Sequence, residues 1–224
     1  MILDLQFFGG RGAYSSAMRL AQILTESGHG NSIPIVISRI NDKTLQGIEN
    51  RIRNLKHEEA FAFNSDGKLV DGVSGGTSKV EMPDRWKDIE GATVTHGHPY
   101  NRYGYGGTLS VDDAETFLDS KWKELRAAAH GKGEFNYIVR RTSKSDDVKL
   151  KKFLIKDRER LRRDIATTYR KVYNESRAKG KNKQSALQEA GQKAAGIMHR
   201  YWKEHLPECG FEYVTPKKEY KYGR

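Results

Sequence analysis

The spacing of apolar residues changes near residue 147 of this 224-residue chain. Between about residues 30 and 141, short runs with strand-like alternation are separated by turns rich in Gly, Asn and Asp. From Asp147 onward, apolar residues recur every three or four positions, which is typical of long helices with one packed face. The sequence therefore predicts an α+β fold in which strands dominate the first part and helices the second.

A hairpin is the strongest local pattern in the first part. The segment Glu59-Ala-Phe-Ala-Phe is followed by Asn64-Ser-Asp-Gly and Lys68-Leu-Val-Asp-Gly. An Asp-Gly pair between alternating segments is typical of a tight turn between antiparallel strands. Further strands are predicted at residues 32–38, 91–98, 124–128 and 135–140, with a short additional strand at 80–82. Helical segments are predicted at residues 15–26, 43–55, 83–89 and from 110 onward.

Helical spacing dominates the region after residue 146. Leu150, Leu154 and Leu161 lie on one apolar stripe, and basic residues on the rest of the helix form a strongly basic surface. The arginines of that surface are Arg158, Arg160, Arg162, Arg163 and Arg170. A last helix is predicted to begin at Ser185, because Ser185 with Gln188 is typical of a capping box.

These changes of pattern divide the chain into three predicted parts. Residues 1–29 form an N-terminal arm with a short helix, residues 30–145 form the α+β domain, and residues 146–224 form a basic helical extension with a tail. The residues after Thr215 are basic and are predicted to be mobile. Much of the chain's net charge of +11 therefore belongs to the third part.

Composition limits the classes of function. The mean hydropathy is −0.79, and no apolar run approaches the ~20 residues of a membrane helix. The first residues lack the features of a secretory signal, so we expect a cytoplasmic location and no membrane partner. A single cysteine, Cys209, cannot form an internal disulfide or a cysteine-based zinc site. A metal site would therefore use histidines and carboxylates.

The sequence His96-Gly-His98-Pro99 stands at the end of an apolar strand. Residues two apart in a strand point to the same face, so both imidazoles can bind one metal ion. A third ligand is expected at Asp113, in the first turn of the helix that begins at Ser110. Three protein ligands would leave one position of a zinc ion for water, as in catalytic zinc sites.

A metal-activated water also needs a general base, and the start of the hairpin offers Glu58 or Glu59. The hydroxyl of Ser110 is placed to donate a hydrogen bond to a tetrahedral oxyanion. Ser110 and Asp113 also fit a helix capping box, in which Ser110 accepts from a backbone N–H and the helix dipole stabilises the negative charge of Asp113. The two roles are compatible, because a cap fixes the position of the carboxylate.

The order glutamate, strand, His-x-His-Pro and Ser-x-x-Asp resembles the JAMM motif of the JAB/MPN metalloprotease family. Carried over by residue, the resemblance implies that Glu59 is the catalytic glutamate and that Ser110 lies beside the oxyanion. It implies that His96, His98 and Asp113 bind Zn2+. It also implies hydrolysis of a peptide or isopeptide bond in a protein or peptide substrate, in that family often at the C-terminus of ubiquitin-like proteins.

The resemblance covers about residues 58–141 and implies a JAB/MPN-like mixed sheet flanked by helices. The eleven residues between His98 and Ser110 exceed the usual spacing of the family, and the insertion at 101–107 is placed to reshape the substrate groove. The opening Leu5-Gln-Phe-Phe-Gly-Gly-Arg-Gly is similar to the openings of structural and head-region proteins of phages that infect Gram-positive bacteria. This similarity suggests a phage or prophage protein, located in the host cytoplasm or in the virion.

The resemblance makes a zinc-dependent peptidase or isopeptidase the first functional hypothesis, and two alternatives remain. A metal-dependent nuclease could use the same histidines and aspartate. Alternatively, a non-enzymatic phage structural or nucleic-acid-binding protein would use the basic helix at 150–173 to contact phosphates or the phage particle. Such a helix is equally typical of a solvated face on a packed helix, since no recognition-helix motif accompanies it.

Overall fold

A computed structural model of the protein describes residues 42–76, 79–98, 107–129 and 135–215. Within these ranges the chain has an α+β fold with a mixed six-stranded sheet and four α-helices, which confirms the predicted fold class at this level. The predicted N-terminal arm, the helix at 15–26, the strand at 32–38, most of the loop after His98 and the tail lie outside the described residues.

Most of the predicted elements inside the described ranges are confirmed, with ends shifted by a few residues, but the short strand predicted at residues 80–82 does not form. The strands are β1 (Glu59–Phe63), β2 (Leu69–Ser74), β3 (Thr93–His98), β4 (Glu124–Ala129), β5 (Phe135–Arg140) and β6 (Glu212–Val214). The helices are α1 (Asp42–Ile52), α2 (Val111–Leu118), α3 (Asp147–Ala178) and α4 (Lys183–Glu208), with a 3-10 helix at Asp84–Asp88. The strand order is β2-β1-β3-β4-β5-β6, and only β3 and β4 pair in parallel.

Alternation along the strands gives the sheet two apolar faces. On one face, Phe61 and Phe63 of β1 pack against Ile48 and Ile52 of α1. On the other face, α3 and α4 cover the sheet through a larger cluster. The members of that cluster include Ala60, Val94, Leu125, Tyr137, Leu150, Leu154, Met198 and Trp202. The sheet therefore lies between α1 on one side and the long helices on the other.

The packing is continuous across the predicted boundary between residues 145 and 146. Leu150 of α3 and Trp202 of α4 belong to the same hydrophobic cluster as Val94 in the centre of the sheet. Strand β6, which the sequence analysis did not predict, pairs with β5. The long helices therefore complete the core of the sheet.

None of the described helices is both long and apolar enough to cross a membrane.

The N-cap of helix α4 lies three residues earlier than the predicted cap Ser185. Asn182 is the N-cap, and its side chain accepts a hydrogen bond of 2.8 Å from the backbone N–H of Ser185. Asparagine is as good a cap as serine, because its short side chain reaches the same N–H group. The preceding turn uses Gly180 at a φ of 79°, a conformation that favours glycine.

A buried network of charges lies between the sheet and α1. Glu49 is completely buried, and its Oε1 accepts a hydrogen bond of 2.5 Å from Nε of Arg126. Arg126 also donates to Glu124 at 2.6 Å, and Glu124 in turn accepts from Arg140 at 2.5 Å. Burial opposes the charge of Arg126, but the two carboxylates raise its pKa above the usual value. Each charge is thus compensated, as burial requires.

Candidate metal centre

The two histidines lie at the carboxyl end of β3, near the centre of the sheet. His96 lies opposite Ala60 of β1 and Ala127 of β4, and so points to the face that α3 and α4 cover. Gly97 points to the other face, where an added Cβ would lie 3.0 Å from the carbonyl oxygen of Ile52. The glycine between the histidines therefore allows the end of α1 to pack closely against the strand.

Helix α2 positions the third residue of the cluster. Ser110 is its N-cap, and its Oγ accepts a hydrogen bond of 3.0 Å from the backbone N–H of Asp113. The backbone N–H of Ser110 donates to Oδ2 of Asp113 at 2.6 Å, which completes the predicted capping box. The cap fixes the carboxylate of Asp113 at the start of the helix, facing the histidines.

The three side chains converge as their order in the sequence predicts. The Nε2 atoms of His96 and His98 are 2.9 Å apart. Oδ1 of Asp113 lies 3.2 Å from Nε2 of His96, and Oδ2 lies 3.4 Å from Nε2 of His98. Ligand atoms around a tetrahedral zinc ion with bonds of ~2.0 Å are roughly 3.3 Å apart. The spacing of these atoms therefore fits three ligands of one zinc-sized ion.

Hydrogen bonds outside the cluster orient two of these side chains. Nδ1 of His98 lies 2.9 Å from the carbonyl oxygen of Gly107 and must donate to it, because a carbonyl only accepts. This bond favours the tautomer whose Nε2 lone pair faces the cluster. Ser110 donates through both its N–H and its hydroxyl to Oδ2 of Asp113, which leaves Oδ1 facing His96.

The charges of the histidines and of Asp113 influence the pKa values of the side chains in the cluster. Burial opposes the protonated form of His98, but the hydrogen bond and the charge of Asp113 raise its pKa to about 9. Burial would raise the pKa of Asp113, but the two histidines hold it well below its usual value. The carboxylate is therefore ionised, as a metal ligand must be, and a proton and a metal ion would compete for Nε2 of His98.

Strand alternation separates the two candidate glutamates. Glu59 pairs with Ser74 and points toward the α1 face, where its Oε1 lies 3.0 Å from Nε2 of His57 and 3.3 Å from Oγ of Ser74. It is completely buried on the side of the sheet away from the cluster. The structure thus does not bring Glu59, the residue that the resemblance matches to the catalytic glutamate, to the histidines.

Glu58 instead lies on the face of the cluster. Its backbone continues the β1–β2 ladder through bonds of 2.8 Å with Gly75 and Gly76, so the alternation extends to this residue. Burial raises the pKa of Glu58, and the charges of His98 and His96 lower it in part. Of the two glutamates, it is Glu58 that shares the electrostatic environment of the cluster.

The hydroxyl of Ser110 points to Asp113. Since an ionised carboxylate only accepts, Ser110 must donate its hydroxyl hydrogen at the 2.7 Å contact with Oδ2. The serine therefore orients the carboxylate in this arrangement. Its expected role at the oxyanion stays a prediction.

The sequence analysis missed the support that the end of the chain provides. The indole N–H of Trp202 donates to the carbonyl of Leu109 at 2.8 Å, and the hydroxyl of Tyr213 lies 2.6 Å from Oγ1 of Thr108. Residues about a hundred positions apart show no common pattern in a single sequence. The only signal was the position of Trp202 on the apolar stripe of the last helix.

Comparisons with protein-family models, curated proteins and solved structures find no match to this chain. The chemistry of the site is therefore argued from its own residues. These are two histidines and a carboxylate with converging ligand atoms, and a glutamate on the same face of the sheet.

Proposed function

We propose that the protein is a zinc-dependent hydrolase in which His96, His98 and Asp113 hold Zn2+. The observation that carries the proposal is the convergence of these three side chains, with one ligand atom from each within 4.8 Å of the others. A peptide or isopeptide bond is the proposed substrate, on the strength of the resemblance to the JAMM motif. The similarity of the N-terminal segment to phage proteins extends the proposal to a phage or prophage protein in the host cytoplasm or virion.

When bound, zinc would supply a water of lowered pKa and polarise the carbonyl of the scissile bond. Glu58, on the same face of the sheet, would accept the proton of the attacking water and return it to the leaving nitrogen. Gly107 would hold His98, and Ser110 would hold Asp113, in the orientation that binding needs. This assignment gives Glu58 the role that the resemblance implies for Glu59.

Asp113→Asn tests the metal site with little change of shape. The amide oxygen can still accept from the N–H of Ser110, but the side chain loses the charge that makes a carboxylate a zinc ligand. We expect the wild-type protein to bind one zinc ion and the variant to bind it at least about 10-fold more weakly. Titration calorimetry and the metal content of purified protein measure both.

Asp112→Asn is the matched control. Asp112 is the preceding residue on the same helix, but its carboxylate is exposed and pairs with Arg162. Zinc affinity should be unchanged in this variant. Hydrolysis of a peptide and of a lysine-linked isopeptide should follow zinc affinity in all three proteins. A wild-type protein that binds no zinc would rule out the proposed function.

A second candidate function, nucleic-acid binding, depends on how the charges of α3 are distributed. One set of basic residues forms ion pairs with nearby acids on α2, α3 and α4 and with the C-cap residue of α2. These pairs are Lys149–Glu208, Lys151–Asp119, Arg158–Glu115, Arg160–Asp157 and Arg162–Asp112. Many of the positive charges of α3 are therefore paired with negative charges of the same chain.

Another set of basic residues faces solvent. Lys152, Lys156, Arg163 and Arg170 are exposed and have no ion-pair partner within residues 42–76, 79–98, 107–129 and 135–215. At 100° per residue they lie within about 40° of one another, along roughly 27 Å of helix. We call these four residues the basic stripe. A rigid row of unpaired cations is suited to a phosphate backbone, which it would contact without reading sequence.

Replacing Lys152, Arg163 and Arg170 with glutamine tests this second candidate. We expect wild-type protein to bind a 30-base-pair duplex in a salt-dependent way, and the salt slope of the variant to be smaller by about 0.9 for each phosphate that it no longer neutralises. The control replaces Lys151, Arg158 and Arg162, which removes the same charge from the paired set. Equal loss of binding in both triple variants would contradict a role specific to the basic stripe.

A further inference from the structure

The segment from Gly107 to Ser110 joins the two halves of the proposed metal centre. Its first residue accepts the hydrogen bond from Nδ1 of His98, and its last residue caps α2 and holds Asp113. A small displacement of this segment would therefore disturb two of the three ligands together. Contacts of this kind commonly set both the tautomer and the position of metal ligands.

The end of the chain holds the middle of this segment. Oγ1 of Thr108 lies 2.6 Å from Oη of Tyr213 in β6, and the carbonyl of Leu109 accepts from Nε1 of Trp202 in α4 at 2.8 Å. Thr108 and Trp202 are both buried, so water competes poorly for these bonds. Four consecutive residues are thus tied either to the metal centre or to the C-terminal part of the chain.

Tyr213 is itself held in place. It pairs with Val139 of β5, and its hydroxyl lies 3.1 Å from Nδ1 of His199. His199 is buried in α4, and its ring meets that of Tyr137 edge-on, with centroids 5.6 Å apart. The hydroxyl of Tyr213 therefore connects the segment before α2 to both β6 and α4.

We propose that Tyr213 and Trp202 are positioning residues of the metal centre, and that metal binding is coupled to the docking of β6 on the sheet. This inference rests on the proposed function, because it assumes that His96, His98 and Asp113 bind zinc. Bound zinc and docked β6 each stabilise the conformation of residues 107–110 that the other requires. Zinc should then protect β6 from exchange, although no residue of β6 belongs to the cluster.

Tyr213→Phe tests the coupling, because it removes only the hydroxyl. We expect its zinc affinity to fall by about 10- to 100-fold in a competition titration with a chromophoric chelator. Thr108→Val should have the same effect, whereas Thr108→Ser keeps the hydroxyl and should restore affinity. In wild-type protein, zinc should slow amide hydrogen exchange at residues 212–214, and in Tyr213→Phe this slowing should be lost.

Glu212→Gln is the matched control on the same strand. It weakens the exposed ion pair with Arg140 and leaves the contact with Thr108 in place. We expect its zinc affinity to equal that of wild-type protein. If wild-type protein binds zinc and both Tyr213→Phe and Thr108→Val bind it equally well, the positioning role is wrong and the proposed function stands. If wild-type protein binds no zinc, the proposed function itself fails.

Discussion

Glu58→Gln should lower the turnover of a peptide or isopeptide substrate by about 10²- to 10⁴-fold, the usual contribution of a general base. Glutamine has nearly the shape of glutamate but cannot accept the proton of the attacking water. Zinc binding should be retained, because the proposed ligands are His96, His98 and Asp113. Steady-state kinetics together with zinc titration separate the loss of turnover from a loss of metal.

Glu59→Gln is the sharpest comparison, because it makes the same change one residue away on the other face of the sheet. Glu59 is completely buried beside His57 and Ser74, so we expect a lower melting temperature. Turnover per folded molecule should change by less than about threefold, in contrast with the effect of a general base. The reverse result, with Glu59→Gln inactive and Glu58→Gln active, would return the catalytic role to the residue that the JAMM resemblance matches.

Arg126→Met should lower the free energy of unfolding by about 3–5 kcal/mol, the usual cost of removing one partner from a buried ion pair. Methionine fills much of the space of the arginine stem, but it leaves the completely buried carboxylate of Glu49 without its strongest partner. Glu124 would keep its contact with Arg140. Urea denaturation followed by circular dichroism measures the change.

Two further variants show whether charge causes this loss. Adding Glu49→Leu to Arg126→Met should recover part of the stability, because an apolar pair often replaces a buried ion pair at little cost. Arg140→Met should cost less than Arg126→Met, since Arg140 is a third exposed. A loss below about 1 kcal/mol for Arg126→Met would mean that solvent screens the pair as it does at a surface.

Local patterns were sufficient to predict most of the elements. Alternation around an Asp-Gly turn predicted β1 and β2, and apolar spacing predicted α3 and α4, because these signals come from residues close together in sequence. Strand β6 was missed, since its three residues at the sheet edge are too few for a pattern. The start of α4 was misplaced, because Asn182 and Ser185 are both good caps and only the backbone geometry distinguishes them.

In the candidate site, too, some features follow from the local sequence and others depend on the tertiary structure. The types and the order of His96, His98 and Asp113 predicted their convergence, because a strand end and a helix start connected by one loop bring such residues together. The choice between Glu58 and Glu59 was open in the sequence. It depended on which face of β1 turns toward the long helices, and that is a property of the assembled sheet.

The α+β class, the approximate positions of most elements and the residues able to hold a metal ion could be derived from the amino-acid sequence alone. These features follow from side-chain chemistry and from periodicities of two and 3.6 residues. The three-dimensional packing was needed to establish that Glu58 lies on the same face of the sheet as the histidines and that the long helices complete the core. It also showed that Tyr213 and Trp202 support the segment before α2. These contacts join residues far apart in the chain, and their directions depend on packing that no local pattern records.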